Sequence, residues 1–122
     1  MYELLRTRVS RIGGGATHEG LETSPAPVGY VDRVIHLAAE DETTIATYMR
    51  SYVRDGDTYH YQEEQRGVSR GVLYHSLDPL EVPGRWRVGV RFNGTTSGDV
   101  LAVYLTIRRF RIMTPRGEVQ DG

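Results

Sequence analysis

The side chains best suited to chemistry in this sequence are phenols. Four of its eight tyrosines, Tyr48, Tyr52, Tyr59 and Tyr61, fall between Thr44 and Gln65, interleaved with Arg50, Arg54 and Glu63. Phenols gathered in one place offer flat apolar rings with polar tips, suited to lining a ligand cavity. The plainer reading is that tyrosine is a good strand residue, enriched in half-buried cross-strand pairs. On composition alone that reading comes first and a tyrosine-lined ligand cavity second.

The other constellations are weaker. His18, His36, His60 and His75 never stand at HxH or HxxxH spacing and have no carboxylate box beside them, so no metal is expected. Glu63 and Glu64 are adjacent, so on a strand they point to opposite faces and cannot work as an acid and base pair. No serine sits in a GxSxG elbow. The glycines Gly13 to Gly15 precede a loop, lack the helix N-terminus of a phosphate cradle, and read as a linker. Without a cysteine there is no disulfide framework, thiolate zinc site or thiol nucleophile. Chemistry without any cofactor is the expectation.

The tyrosine stretch reads as a hairpin. Asp55-Gly56 between two strand-forming runs suits a two-residue type I′ turn. That turn sets Arg54 opposite Asp57, Tyr52 opposite Tyr59, Arg50 opposite Tyr61 and Tyr48 opposite Glu63, all on one face. A helix over Thr43 to Arg54 is the rival, because Ile45, Tyr48, Met49 and Tyr52 recur at helical spacing. The flanking β-branched residues and the Asp-Gly turn favour the strand.

Further strands are expected at Tyr2 to Ile12, Val28 to Ala39, Gly67 to Leu77, Arg85 to Phe92 and Val100 to Met113. In Arg85 to Phe92 alternation is strict, with Trp86, Val88, Val90 and Phe92 on one side. Residues 13–27, rich in glycine and proline, read as a long flexible loop able to act as a lid. Asp78-Pro79 and Pro83-Gly84 bracket a turn-rich connection, and 114–122 form a polar tail. Seven or eight short antiparallel strands without helices mean a barrel or a sandwich. Val100 to Met113 is apolar on both faces, for which a homodimer interface would account.

All 122 residues fit one domain with its own core. Fifteen cations, every one arginine, against sixteen acids leave a net charge of −1, so no global field gathers nucleic acid or an anionic membrane. No N-terminal signal or apolar span is present, so a cytoplasmic protein is expected.

One ordered set of motifs adds to this. Pro25-Ala26-Pro27-Val28-Gly29, Arg50-Ser51-Tyr52-Val53-Arg54, Tyr61-Gln62-Glu63, Gly71-Val72-Leu73, Trp86 and Gly94-Thr95-Thr96-Ser97-Gly98 follow one another over residues 25 to 113. Their order resembles the small β-barrel spirotetronate cyclases, the [4+2] cyclases of polyketide pathways, which are similar in fold to allene oxide cyclases. The resemblance implies a single antiparallel eight-stranded up-and-down β-barrel whose central cavity holds a linear polyene tetronate. It implies a formal [4+2] cycloaddition, which needs no nucleophile or metal and is accelerated by holding diene and dienophile in a near-attack geometry.

By that resemblance Tyr61 points into the cavity as the catalytic phenol, and Glu3 lines it from the first strand. Phe110 stands where the family has a tryptophan, and Arg50 where it has an apolar residue. The hairpin register then carries Tyr48, Arg50, Tyr52, Tyr59 and Glu63 inward, and leaves Met49, His60 and Gln62 outside the cavity. Arg50 would assist Tyr61, while Trp86, Phe92, Tyr104 and Phe110 would supply the walls. The partner implied is a small-molecule polyketide, with no nucleic acid or membrane. Related ring formation or cycloreversion on polyether tetronates, a lipocalin-like carrier barrel, and an interaction subunit with a filled interior remain alternatives.

Overall fold

Wherever apolar side chains alternate, this chain is extended, and in the computed structural model every regular element among the described residues, 2–15 and 17–112 with the side chains of 76–80 excepted, is a strand. The eight strands are β1 (Tyr2–Ile12), β2 (His18–Glu22), β3 (Tyr30–Asp41), β4 (Tyr48–Asp55), β5 (Thr58–Arg66), β6 (Arg70–Pro83), β7 (Arg87–Asn93) and β8 (Val100–Arg111). They form two antiparallel sheets, sheet 1 in the order β1-β8-β3-β6 and sheet 2 in the order β2-β7-β4-β5.

This order corrects the expected up-and-down barrel. An up-and-down barrel pairs strands that follow one another in the chain, whereas here β4 and β5 are the one such pair among the described residues. Every other connection crosses between the sheets, giving the strand order of a double Greek-key jelly roll. The space between the sheets is a packed core. Phe92, Met49, Leu73, Leu101, Val34, Val82, Val90 and Val103 have essentially no exposed surface. Alternation places them: Val88, Val90 and Phe92 face inward from β7, and Leu101, Val103, Leu105 and Ile107 from β8. β8 lies between β1 and β3, so both its edges are paired within one chain, while on its outer face Ala102 is buried and Tyr104 and Thr106 are half-buried.

Three local expectations also change. Residues 13–27 contain β2, paired with β7 from His18 opposite Asn93 to Glu22 opposite Gly89. Glu19 and Leu21 turn inward there, and Glu19 accepts the Gly14 N–H at 2.6 Å. Gly13, read as part of a linker, is bonded through its own N–H and carbonyl to Asp99 and Gly98. The expected turn at Asp78-Pro79 lies within β6, where pairing passes from His36–His75 to Val34–Leu80. Because β6 is an edge strand, a missing proline N–H is tolerated. The polar tail, 114–122, falls outside the described residues.

One end of the sandwich is tied by two buried carboxyl groups. Asp41, which ends β3, accepts the N–H groups of Thr43 and Thr44 at 3.1 and 3.0 Å. Asp99, just before β8, accepts the Thr44 hydroxyl at 2.6 Å and the Thr96 N–H at 3.0 Å. The two carboxyls interact directly, which favours the proton on Asp41 and the charge on Asp99. Burial together with Asp99 raises the Asp41 pKa. The Asp99 pKa is lowered, its burial being outweighed by the hydrogen bonds from Asp41, Thr44 and Thr96.

Candidate functional site

The hairpin forms, with a different register and the opposite orientation. Its turn residues are Gly56 and Asp57, with Asp55 opposite Thr58. Gly56 takes φ of +56° while Asp57 stays at negative φ, which suits a II′ turn. Arg54 therefore faces Tyr59, and Tyr52 faces Tyr61, before a bulge that brings Arg50 opposite Glu64. Met49, Ser51 and Val53 point into the core, where Met49 has no exposed surface. Tyr48, Arg50, Tyr52 and Arg54 point away from it, and Tyr59 and Tyr61 lie on the same outer surface, 48% and 38% exposed. This corrects the inward placement of the phenols. Apolar Met49 and Val53 take the dry side, while the phenol oxygens keep polar partners.

Those partners form two clusters across sheet 2. In the first, Arg50 donates from Nε to Glu64 at 3.0 Å and lies over the rings of Tyr48 and Tyr61, while Arg66 also pairs with Glu64. Arg91 donates to the Tyr61 hydroxyl oxygen at 2.6 Å. In the second, Glu22 receives two Arg54 hydrogen bonds and the Tyr52 hydroxyl, each at 2.8 Å. The Arg54 guanidinium chiefly, with Tyr52, holds the Glu22 carboxyl below its usual range, whereas burial and Glu22 push the Tyr52 phenol up. Near neutral pH Tyr52 is thus a hydrogen-bond donor and Glu22 a carboxylate.

Tyr52 is buried although it faces outward, because its ring lies over the backbone of β7. A Cβ at Gly89 would stand 2.7 Å from the Tyr52 hydroxyl and 2.9 Å from Glu22 Cγ. Gly89→Ala is expected to displace both groups and cost about 1–3 kcal/mol, measured by urea unfolding. The same cost in a Tyr52→Phe background would show that the clash with the hydroxyl is not its origin.

The remaining expected site residues are dispersed. Glu3 sits on exposed edge strand β1 opposite Arg109. Glu63 is exposed at the bulge, where its N–H donates to Ser51 Oγ at 3.1 Å. Phe92 is core, and half-buried Trp86 stacks on His60 with ring centroids 5.7 Å apart. Tyr104 and Phe110 lie on the outer face of sheet 1, where Phe110 packs against Tyr2 and Arg33. Tyr61 and Arg50 are therefore neighbours as expected, but Glu3, Phe92, Tyr104 and Phe110 are not in their site.

The outer face of sheet 1 holds a larger recess of about 740 Å³ that sequence reasoning missed. Small side chains make its floor: Ala38 of β3, Val72 of β6 and Thr106 of β8. Arg6 and Arg8 from β1, His36 from β3 and Arg70 from β6 surround it. Arg8 pairs with Glu42 at 3.3 Å, and Tyr104 donates to Glu40 at 3.1 Å. Arg70 lies over the Tyr104 ring at 5.5 Å, and neither Arg70 nor Arg6 is in an ion pair among the described residues. The available signal was the alternation of Arg6 and Arg8 along β1, which means little until the β1–β8 register sets them beside Thr106 and Tyr104.

Among the described residues no three His, Cys, Asp or Glu side chains are grouped to hold a metal ion, and no helix is long and apolar enough to cross a membrane. No protein-family model, curated protein or solved structure matches the chain.

Proposed function

We propose that the chain is a small-molecule-binding jelly roll whose working site is the groove on sheet 1, taking a ligand with an apolar body and one acidic group. The observation that carries this is the pairing of a small-residue floor with Arg6 and Arg70, cations without a carboxylate partner among the described residues, in a recess of about 740 Å³. That volume is in the range of pockets for drug-sized ligands. The apolar body rests on Ala38 and Val72, and the acid meets the guanidiniums, which suit planar anions. A linear polyene tetronate, the substrate class implied by the resemblance to spirotetronate cyclases, has both parts.

Binding is tested by calorimetry with decanoate, its methyl ester and a linear polyene tetronate. The acids are expected to bind, the ester about tenfold more weakly, and Arg70→Ala to weaken acid binding by about tenfold. Equal binding of acid and ester, or an unaffected Arg70→Ala, sinks the proposal. Cyclisation is a separate reading, tested by seeking a product of unchanged mass and altered retention from the tetronate. Tyr61 lies on the other sheet, so Tyr61→Phe is expected to leave any conversion in the groove unchanged. A conversion that slows in Tyr61→Phe would move the chemistry to sheet 2.

A further inference from the structure

A second pocket, of about 400 Å³, opens on sheet 2 among Gly20, Glu22, Tyr52, Tyr59 and Arg87, with Arg11 of β1 also lining it. Its chemistry differs from that of the groove. Glu22 is held in place by Arg54 and Tyr52 but still presents carboxylate oxygens as acceptors. Arg11 and Arg87 stand in no ion pair among the described residues. Tyr59 is 48% exposed, and Gly20 contributes no side chain to fill the space.

We propose that this pocket is a subsite for a uronic acid residue of an acidic polysaccharide. The sugar carboxylate lies between Arg11 and Arg87, the pyranose ring rests against Tyr59, and a ring hydroxyl donates to Glu22. The outer surface of sheet 2 supports a polyanion as occupant: Arg87 and Arg91 of β7 lie there in no ion pair among the described residues, while Arg50 and Arg66 are paired with Glu64 and Arg54 with Glu22. Arg87 and Arg91 thus leave positive charge along β7, and such charge attracts chains of opposite sign. Tyr61 next to Tyr59, with ring centroids 6.0 Å apart, continues the aromatic surface toward a neighbouring sugar.

Single-stranded nucleic acid also combines negative charge with flat groups that stack on tyrosine. A nucleotide within a strand brings one phosphate and at most one free sugar hydroxyl, whereas a pyranose carries more than one hydroxyl beside its carboxylate for the Glu22 acceptor. The polysaccharide is for this reason the favoured occupant.

Calorimetry on the full chain with trigalacturonate, maltotriose and a short oligothymidylate tests the assignment. Trigalacturonate is expected to bind at least about tenfold more tightly than either of the others. Tyr59→Ala and Arg87→Gln, with folding verified by circular dichroism, are each expected to raise its Kd by about tenfold. Arg70→Ala, which disables the groove on the other face, should leave it unchanged. Absence of binding, equal or tighter binding of the oligothymidylate, or a Tyr59→Ala variant that binds like the parent would overturn the proposal, the last by reducing the contact to ion exchange.

Discussion

Phe92→Ala is expected to lower stability by about 3–5 kcal/mol and the midpoint of thermal unfolding by roughly 10–25 °C. Phe92 has no exposed surface, and its neighbours Val90 and Met49 are equally buried. Removing the ring leaves a void that the two packed sheets close incompletely, and the cost is the lost transfer energy plus that of the void. If Phe92 were instead the wall of an open ligand chamber, truncation would enlarge the chamber and leave stability nearly intact. A thermal melt followed by circular dichroism separates the two. The exposed Tyr59 supplies the control, since Tyr59→Ala removes a larger side chain with far less effect.

Asp41 and Asp99 are expected to answer asparagine in opposite ways. The folded-state pKa of Asp41 is raised, so its ionisation opposes folding, and that loss begins as pH rises above the ordinary aspartate value of about 3.9 and is complete above the raised value. In the Asp41→Asn variant the amide keeps an oxygen for the Thr43 and Thr44 N–H groups and offers an N–H to Asp99, as the protonated carboxyl does. This variant is thus expected to match or exceed the parent in stability at pH 7. Asp99 has a lowered pKa, and its contribution is present above the ordinary value and lost as pH falls through the lowered one. Asp99→Asn is expected to cost about 1–3 kcal/mol at neutral pH, because a neutral amide replaces the charged acceptor of Thr44 and Thr96. Urea unfolding from pH 3 to pH 8 measures both, and equal losses in the two variants would contradict a shared proton.

The extended nature of the chain was legible because apolar alternation is a local property. β7 and β8 show it plainly, and their inward residues are the core. β2 escaped notice because its five residues, HEGLE, bury one apolar side chain and a glutamate, with Gly20 between them. The hairpin hid its orientation for a different reason. Both faces of β4 are mixed, and the choice between Met49 with Val53 and Tyr48 with Tyr52 depends on what lies across β7, where Gly89 makes room for the Tyr52 ring. The groove could not be read at all. Its floor and rim come from four strands whose adjacency is a matter of topology, and no local pattern encodes that order.

That topology also governs how the chain reaches its structure. Tyr2 pairs with Phe110, and Ile12 with Val100, so the first strand finds its partner in the last. β8 is inserted between β1 and β3, and until it has been synthesised the middle of sheet 1 does not exist. On the ribosome the hairpin of β4 and β5 can form early, since its turn closes a short loop. The rest must wait for long loops to close, which places folding in the slow regime of milliseconds to seconds typical of non-local β proteins. During that wait β1 and β3 carry unpaired edges, the condition under which chains join one another. Arg6, Arg8 and Arg11 along β1 put charge on one of these edges. Arg6 and Arg8, which frame the groove in the finished fold, thereby also set charge against the joining of unfinished chains.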